Sequence, residues 1–297
     1  MVTAEEDLVV GVIGLGAMGA PMTANLLQRG VGTVGISGRD RARHTALIEA
    51  GAHWHESPRS LAEHADVVLL MLPDLPEVEG VLAGPDGLLA AAPEDLVVII
   101  SSTSSPTGVR ELAARLSEQT AGAVRLVDAP VSGGVDGATA GTLSIMVGGA
   151  AADVARVLPV LTACGTPVHL GPLGAGQVAK ACNQMIVAAT ILALGEAAVL
   201  ADRSGLDLAT LFELLAGGYA GSRILATRGD RIVTEDYSPS GVAKYMVKDL
   251  DFATAVAQET DTHPVLLPAL RAAFTEMVSS DLGDFDIAVT RRFVAER

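Results

Sequence analysis

The chain has 297 residues, 49% of them hydrophobic and only 3% aromatic, with a formal net charge of −15 at pH 7. This length fits two domains, and the apolar fraction is ample for large cores packed by Ala, Leu, Val and Gly. So acidic a chain is a poor match for a phosphate backbone, which argues against a nucleic-acid partner. Two cysteines, Cys164 and Cys182, build no disulfide framework and are expected as buried reduced thiols. No His, Cys, Asp and Glu cluster has metal-ligand spacing, so no metal is expected. The six histidines are scattered and are expected at the surface or in loops, with Trp54 packing at a strand end. The start, Met1 to Asp7, is acidic and polar, unlike a secretory signal. The apolar run Met185–Leu194 is short for a membrane span before Gly195 and Glu196. A cytoplasmic protein without a membrane partner is expected.

In chain order, Leu8–Ile13 is a continuously apolar run of the kind a buried parallel strand shows. Gly14, Leu15, Gly16, Ala17, Met18 and Gly19 follow at once, and a helical stretch with Pro21 in its first turn comes next. Between a strand and a helix, G-x-G-x-x-G is a dinucleotide-binding fingerprint. Gly14 allows the tight turn, Gly16 lets backbone N–H groups approach a pyrophosphate, and Gly19 lets helix and strand pack closely. The helix N-terminus adds favourable partial charge for the anion.

A second strand is predicted over Gly32–Ile36, and the turn after it is where the ribose 2′ position is read. Here it runs Ser37-Gly-Arg39-Asp40-Arg41-Ala-Arg43. Arg39 suits stacking on the adenine or pairing with a 2′-phosphate, with Ser37, Arg41 and Arg43 assisting, so NADP is preferred to NAD. Asp40 is the opposing feature: it suits a ribose hydroxyl as well as it suits an N-cap. Buried strands are predicted over Asp66–Leu72, ending at Pro73, and over Leu96–Ser101, with a helix from Pro106 to about Gln119. Ligands bind beyond the carboxyl ends of such strands, which makes Met71, Leu72, Pro73, Ser102 and Thr103 cofactor-edge candidates. Val124–Val127 leads into Asp128-Ala-Pro-Val-Ser132-Gly133-Gly134, whose paired glycines leave backbone N–H groups uncovered, a cradle suited to a carboxylate.

After about residue 173 the strand pattern stops and the chain reads as helical. Domains are therefore drawn at 1–173 and 174–297. From Gln177 to Gly195 the only charged residue is Lys180. A helix apolar on nearly every face must be covered, and lysine is almost never fully buried without a reason. A desolvated lysine is driven toward a pKa at which it trades protons; the other reading, favoured for a lone lysine, is one that snorkels from a helix end. Asn183 lies three residues on and shares its face. The length and apolarity of the helix from Gln177 to Arg203 call for an interdomain or dimer-interface role, and a homodimer or homotetramer is expected.

Four ordered blocks, Gly14–Gly19, Asp128–Gly134, Gly174–Asn183 and Lys248-Asp-Leu-Asp-Phe-Ala253, resemble those of the β-hydroxyacid dehydrogenase family across essentially the whole chain. The resemblance implies a doubly wound Rossmann domain followed by an all-α domain built on a long interdomain helix. It also implies interconversion of a small β-hydroxy acid and its semialdehyde with a nicotinamide cofactor. It implies Lys180 as the acid/base residue, Ser132, Gly133 and Gly134 on the substrate carboxylate, and Asn183 on the substrate and Lys180. Thr103 falls on the nicotinamide side, Leu72 and Pro73 along the cofactor, and Lys248 closes over it. Family members often carry an aromatic followed by Pro-Gly-Phe in a loop where this chain has Tyr237-Ser-Pro-Ser-Gly-Val242, with an inserted serine and a valine in place of phenylalanine. An imine or ketone reductase on the same scaffold, and a non-catalytic assembly module, are the alternatives; Lys180 argues against the first, and Lys180, Asn183 and Ser132 with the net charge of −15 argue against the second.

Overall fold

The computed structural model describes residues 8–297, so the acidic start lies outside the described residues. The chain divides into two compact units, Met1–Lys180 and Ala181–Arg297, with the division inside one long helix.

In the first unit six strands run parallel: β1 (Val9–Ile13), β2 (Thr33–Ser37), β3 (His53–His55), β4 (Val67–Leu70), β5 (Leu96–Ile100) and β6 (Val124–Asp128). Their order across the sheet is 3-2-1-4-5-6. The intervening helices are α1 (Gly19–Gln28), α2 (Thr45–Glu49), α3 (Pro58–Ala62), α4 (Leu75–Leu82) and α5 (Pro106–Gln119). The strands read as unbroken apolar runs because both faces are covered. Val67, Leu69, Val97 and Ile99 enter one core, while Val68, Leu70, Val98 and Ile100 enter the other. This is the doubly wound arrangement expected.

The sheet then extends in a way the sequence pattern did not show. β7 (Val131–Ser132) and β8 (Leu143–Gly148) pair antiparallel around α6 (Gly134–Ala140), and β9 (Gly165–Gly171) returns parallel to β8 after α7 (Ala151–Cys164). β8 also runs antiparallel to β6. Three of the histidines, His53, His55 and His169, lie on strands; His53 and His169 are exposed, as expected of surface positions, and His55 is half-buried. Trp54 lies on β3 with its ring stacked on His44.

The second unit is helical: α8 (Ala175–Arg203), which begins in the first unit, then α9 (Leu208–Ala216), α10 (Arg223–Thr234), α11 (Lys244–Glu259), α12 (Leu267–Ser279) and α13 (Thr290–Ala295). Phe212, Leu225, Leu250, Phe274 and Phe293 pack with Ala188, Ile191 and Ala198 of α8. Gly195 does not interrupt α8. A Cβ there would lie 2.7 Å from Thr290 Oγ1 and 2.8 Å from its carbonyl carbon, so the glycine admits a close backbone approach. Thr290 Oγ1 in turn donates to the Ile191 carbonyl at 3.0 Å. Among the described residues α8 alone is long and apolar enough to cross a membrane, a composition that a soluble core helix shares. It keeps large apolar side chains exposed, Ile186 at 62% and Leu200 at 70%. Cys164 is buried as expected, but Cys182 is exposed: it falls on the same uncovered face of α8, four residues before Ile186.

Candidate active site

The parallel register sets one edge of the first unit. Ser37 pairs with Ile13, Ile13 with Leu70, Leu70 with Ile100 and Ile100 with Asp128, so five strands end in one row. The segments singled out from the sequence leave from this row: Gly14–Gly19, Gly38–Arg43, Met71–Pro73, Ser101–Ser105 and Ala129–Gly134. The strand order reverses between β1 and β4, and the crevice at such a switch point is where ligands sit in open α/β sheets.

The three fingerprint glycines have different surroundings. Gly14 has φ +97°, and a Cβ there would lie 2.2 Å from the Met71 carbonyl oxygen. A Cβ on Gly19 would lie 2.0 Å from the Gly14 carbonyl oxygen. A Cβ on Gly16 would meet nothing within 4 Å. Gly14 and Gly19 are thus required by the fold itself. Gly16 is exposed and is required only by something that approaches from outside. Leu15, Ala17 and Met18 complete the loop, and α1 begins at Gly19 with Met18 as a cap lacking a side-chain hydrogen bond. An anion at this helix start would use backbone donors that the chain leaves uncapped. These features fit a dinucleotide cofactor.

At the end of β2, Ser37 is buried and Arg39 exposed. Asp40 is an N-cap: its carboxylate accepts from the Ala42 amide at 3.1 Å and lies 3.3 Å from Arg43 Nε. Arg41 reaches Glu56 at 3.7 Å. Arg39 makes no ion pair among the described residues. On the neighbouring loops, Ser102 Oγ accepts from the Leu72 amide at 3.1 Å, joining the two segments. Ser105 caps α5 by accepting from the Gly108 amide. Pro73 is exposed and Thr103 half-buried.

Lys180 is 7% exposed, and its Nζ donates to the Val131 carbonyl at 2.8 Å. That bond sets the ammonium against the strand whose next residues are Ser132, Gly133 and Gly134. Gly133 and Gly134 have φ +140° and +64°, conformations that favour glycine. A Cβ at Gly134 would meet nothing within 4 Å, so this backbone too is open to approach.

Two buried side chains that the sequence did not single out hold the start of α8. Asp128 accepts from the Gly174 and Gln177 amides, both at 2.7 Å. It satisfies donors that a helix start leaves unpaired. Burial pushes its carboxyl above the usual range, against the lowering effect of those amides. Gln177 is 1% exposed; its Nε2 donates to the Ser102 carbonyl at 2.8 Å and its Oε1 accepts from the Ser104 amide at 2.9 Å. The first turn of α8, one turn before Lys180, is thereby tied to β6 and to the Ser102–Ser104 loop. The signal for Gln177 was an uncharged polar residue within an apolar helix. Asp128 was visible only as part of its block.

Asn183 and Lys248 belong to the second unit. Asn183 Nδ2 donates to Gln184 Oε1 at 2.9 Å, and Gln184 Nε2 donates to Asp249 Oδ2 at 2.5 Å. Lys248 Nζ lies 3.6 Å from Asp249 Oδ1 and 5.0 Å from the centre of the Phe252 ring. The Tyr237–Val242 loop is fixed by Asp286, which is fully buried and receives the Gly241 amide at 2.7 Å. Arg228 and Arg231 lie 3.3 and 3.5 Å from the same carboxylate. Arg231 also donates to the Ser238 carbonyl at 2.6 Å. Tyr237 is half-buried, and that burial pushes its phenol up. Lys244, on the exposed side of α11, pairs with Asp284 at 2.6 Å.

An open glycine loop at the switch point of a doubly wound sheet, followed by a helical unit, defines a dinucleotide-binding protein of two units. Residues 9–179 match the model for the NAD binding domain of 6-phosphogluconate dehydrogenase, and residues 174–293 match the model for the NAD-binding domain of NADP-dependent 3-hydroxyisobutyrate dehydrogenase. An NAD-dependent L-serine dehydrogenase of Pseudomonas aeruginosa is 34% identical over 95% of this chain and 96% of its own. The 2-hydroxy-3-oxopropionate reductase of Escherichia coli is 37% identical over 84% of each chain. Among solved structures, the 3-hydroxyisobutyrate dehydrogenase of Mycobacterium tuberculosis with L-serine superposes with a TM-score of 0.82 at 32% identity, covering 97% of this chain and 99% of that one. The chain belongs to the 3-hydroxyisobutyrate dehydrogenase-like, or β-hydroxyacid dehydrogenase, superfamily. It is an NAD(P)-dependent oxidoreductase.

Proposed function

We propose that this protein interconverts a small β-hydroxy acid and its semialdehyde, with Lys180 as the acid/base group. The observation that carries this reading is the buried Lys180, whose Nζ bonds to the Val131 carbonyl beside the open Ser132–Gly134 backbone. The names of relatives, a serine dehydrogenase and a 2-hydroxy-3-oxopropionate reductase, support small carboxylate-bearing substrates. The nicotinamide supplies or takes up the hydride.

The chain's own residues do the rest. Amides of Ser132, Gly133 and Gly134 hold the substrate carboxylate. In reduction, oxygen gains negative charge as the carbonyl becomes an alcohol; the Lys180 ammonium stabilises that charge and passes a proton to the oxygen. In oxidation, neutral Lys180 accepts the hydroxyl proton. Asn183 hydrogen-bonds the substrate oxygen. Gly14–Gly19 receives the cofactor pyrophosphate, Leu72 and Pro73 lie along the cofactor, Thr103 contacts its nicotinamide side, and Lys248 closes over it. NADP is the preferred cofactor: Asp40 is already engaged as a cap, while Arg39 stays exposed at the end of β2. A second copy covers the apolar face of α8 that carries Ile186 and Leu200.

The test is steady-state reduction of glyoxylate, succinic semialdehyde, methylmalonate semialdehyde and tartronate semialdehyde, each with NADPH and with NADH. Turnover of at least one aldehyde acid, faster with NADPH, is the expected result. Activity confined to a cyclic imine or bulky ketone would overturn the substrate class and place the change in the Tyr237–Val242 loop.

A further inference from the structure

Adjacent residues on a helix do not face each other, yet Asn183 and Gln184 turn their side chains together and bond at 2.9 Å. Gln184 then spans to α11, donating to Asp249 at 2.5 Å. Asp249 is 5% exposed, with Lys248 3.6 Å from its other oxygen. The four polar groups form one directed chain within the second unit.

The direction of that chain is set at the Asp249 end. A carboxylate only accepts hydrogen bonds, whereas an amide has a donor end and an acceptor end. Asp249 therefore requires the NH2 group of Gln184. With that end committed, Gln184 offers Oε1 to its neighbour, and only the NH2 of Asn183 complements it. One orientation of the Asn183 amide follows: one hydrogen of Nδ2 is given to Gln184, and the second is left to donate elsewhere. Reversed, Asn183 would set its oxygen against the oxygen of Gln184. Asn183 and Gln184 are half-buried and Asp249 is buried, and a polar network that leaves water is stable only when its members are satisfied.

We infer that Gln184 and Asp249 are positioning residues that lock the amide of Asn183 so that the second N–H of its Nδ2 is presented to the reacting oxygen. The inference rests on the role given to Asn183 under the proposed function. A donor there complements the substrate oxygen, which gains negative charge in reduction and gives its one hydroxyl proton to Lys180 in oxidation. Gln184 touches neither in this scheme and acts through Asn183.

The test is a double-mutant cycle on the full-length enzyme with Asn183→Ala, Gln184→Met and their combination, alongside Asp249→Asn as a second way to release the polarity. Gln184→Met keeps the length of the side chain and removes both amide ends. The expected result is a fall in kcat of about 10- to 100-fold, the scale of one misplaced hydrogen bond in the transition state. Cofactor Kd stays within about twofold of the original, and Gln184→Met adds nothing further in the Asn183→Ala background. Asp249→Asn is expected to lower kcat in the same direction. Unchanged kcat in Gln184→Met, or additive losses in the double variant, would overturn the inference while leaving Asn183 in place. Unchanged kcat in Asn183→Ala would instead remove Asn183 from the proposed mechanism.

Discussion

Replacing Gly14 and Gly16 by alanine separates what the fold needs from what the cofactor needs. At Gly14 the added methyl would stand 2.2 Å from the Met71 carbonyl oxygen, with the backbone at φ +97°. A positive φ costs an L-residue about 1–2 kcal/mol, and forcing a close packing contact about 1–3 kcal/mol more. The sum, about 2–5 kcal/mol, is a large share of a stability that is typically about 5–15 kcal/mol. At roughly 2–4 °C per kcal/mol for a unit this size, Gly14→Ala should lower Tm by about 4–20 °C. At Gly16 the methyl meets nothing within 4 Å, so Tm should stay within about 2 °C. It would occupy the space a pyrophosphate needs, however, and loss of one charge-assisted hydrogen bond is worth about 1.5–3 kcal/mol. Cofactor Kd should therefore rise by roughly 10- to 100-fold. Thermal unfolding without cofactor and a fluorescence titration with NADPH measure the two quantities. A Gly16→Ala protein that binds NADPH normally, or that loses as much Tm as Gly14→Ala, would refute the assignment.

Arg39→Ala should weaken NADPH by about 10- to 100-fold, the scale of a lost charge-assisted pair, and leave NADH within about twofold. Equal losses in a Kd comparison would refute the 2′-phosphate role. Asp95 accepts from Arg125 and Arg156, and those donors hold its carboxyl below the usual range. A lowered folded value means stability that is present above the unfolded pKa, near about 4, and lost as pH falls through the folded value. Asp95→Asn should therefore flatten the acid side of the Tm–pH profile, with a small effect at pH 7 because the site is exposed; an unchanged profile would contradict this. Leu200→Asp, on the exposed face of α8, should convert a sedimenting dimer to monomer, and a wild-type monomer would contradict the second copy.

The sheet was legible in the sequence where both faces of a strand are buried. The runs that became β1, β4 and β5 are apolar at every position, since alternate residues serve opposite cores. Three-residue β3 carries two histidines around Trp54, and β9 is interrupted by Pro167 and bounded by glycines, so neither presents such a run. Their strand character comes from pairing with β2 and β8. The same division holds at the site. Glycines and an isolated lysine announce themselves by spacing and contrast. The partners of Asp128, Gln177, Gln184 and Asp249 depend on segments 46 to 75 residues away, and no local pattern names those partners. The departure of Tyr237–Val242 from the family pattern was visible at once. That Asp286 and two arginines fix this loop was not, because the carboxylate comes from the far end of the chain.

The role of Lys180 is tested most directly by Lys180→Met, which keeps an apolar stem in the buried site and removes the proton. With an aldehyde acid that the wild-type enzyme reduces, kcat should fall by about 100- to 10,000-fold, the range of general acid–base catalysis, while cofactor Kd and Tm remain near their original values. Turnover retained within a few-fold, in a protein that still binds cofactor, would contradict the assignment of Lys180 as the proton donor.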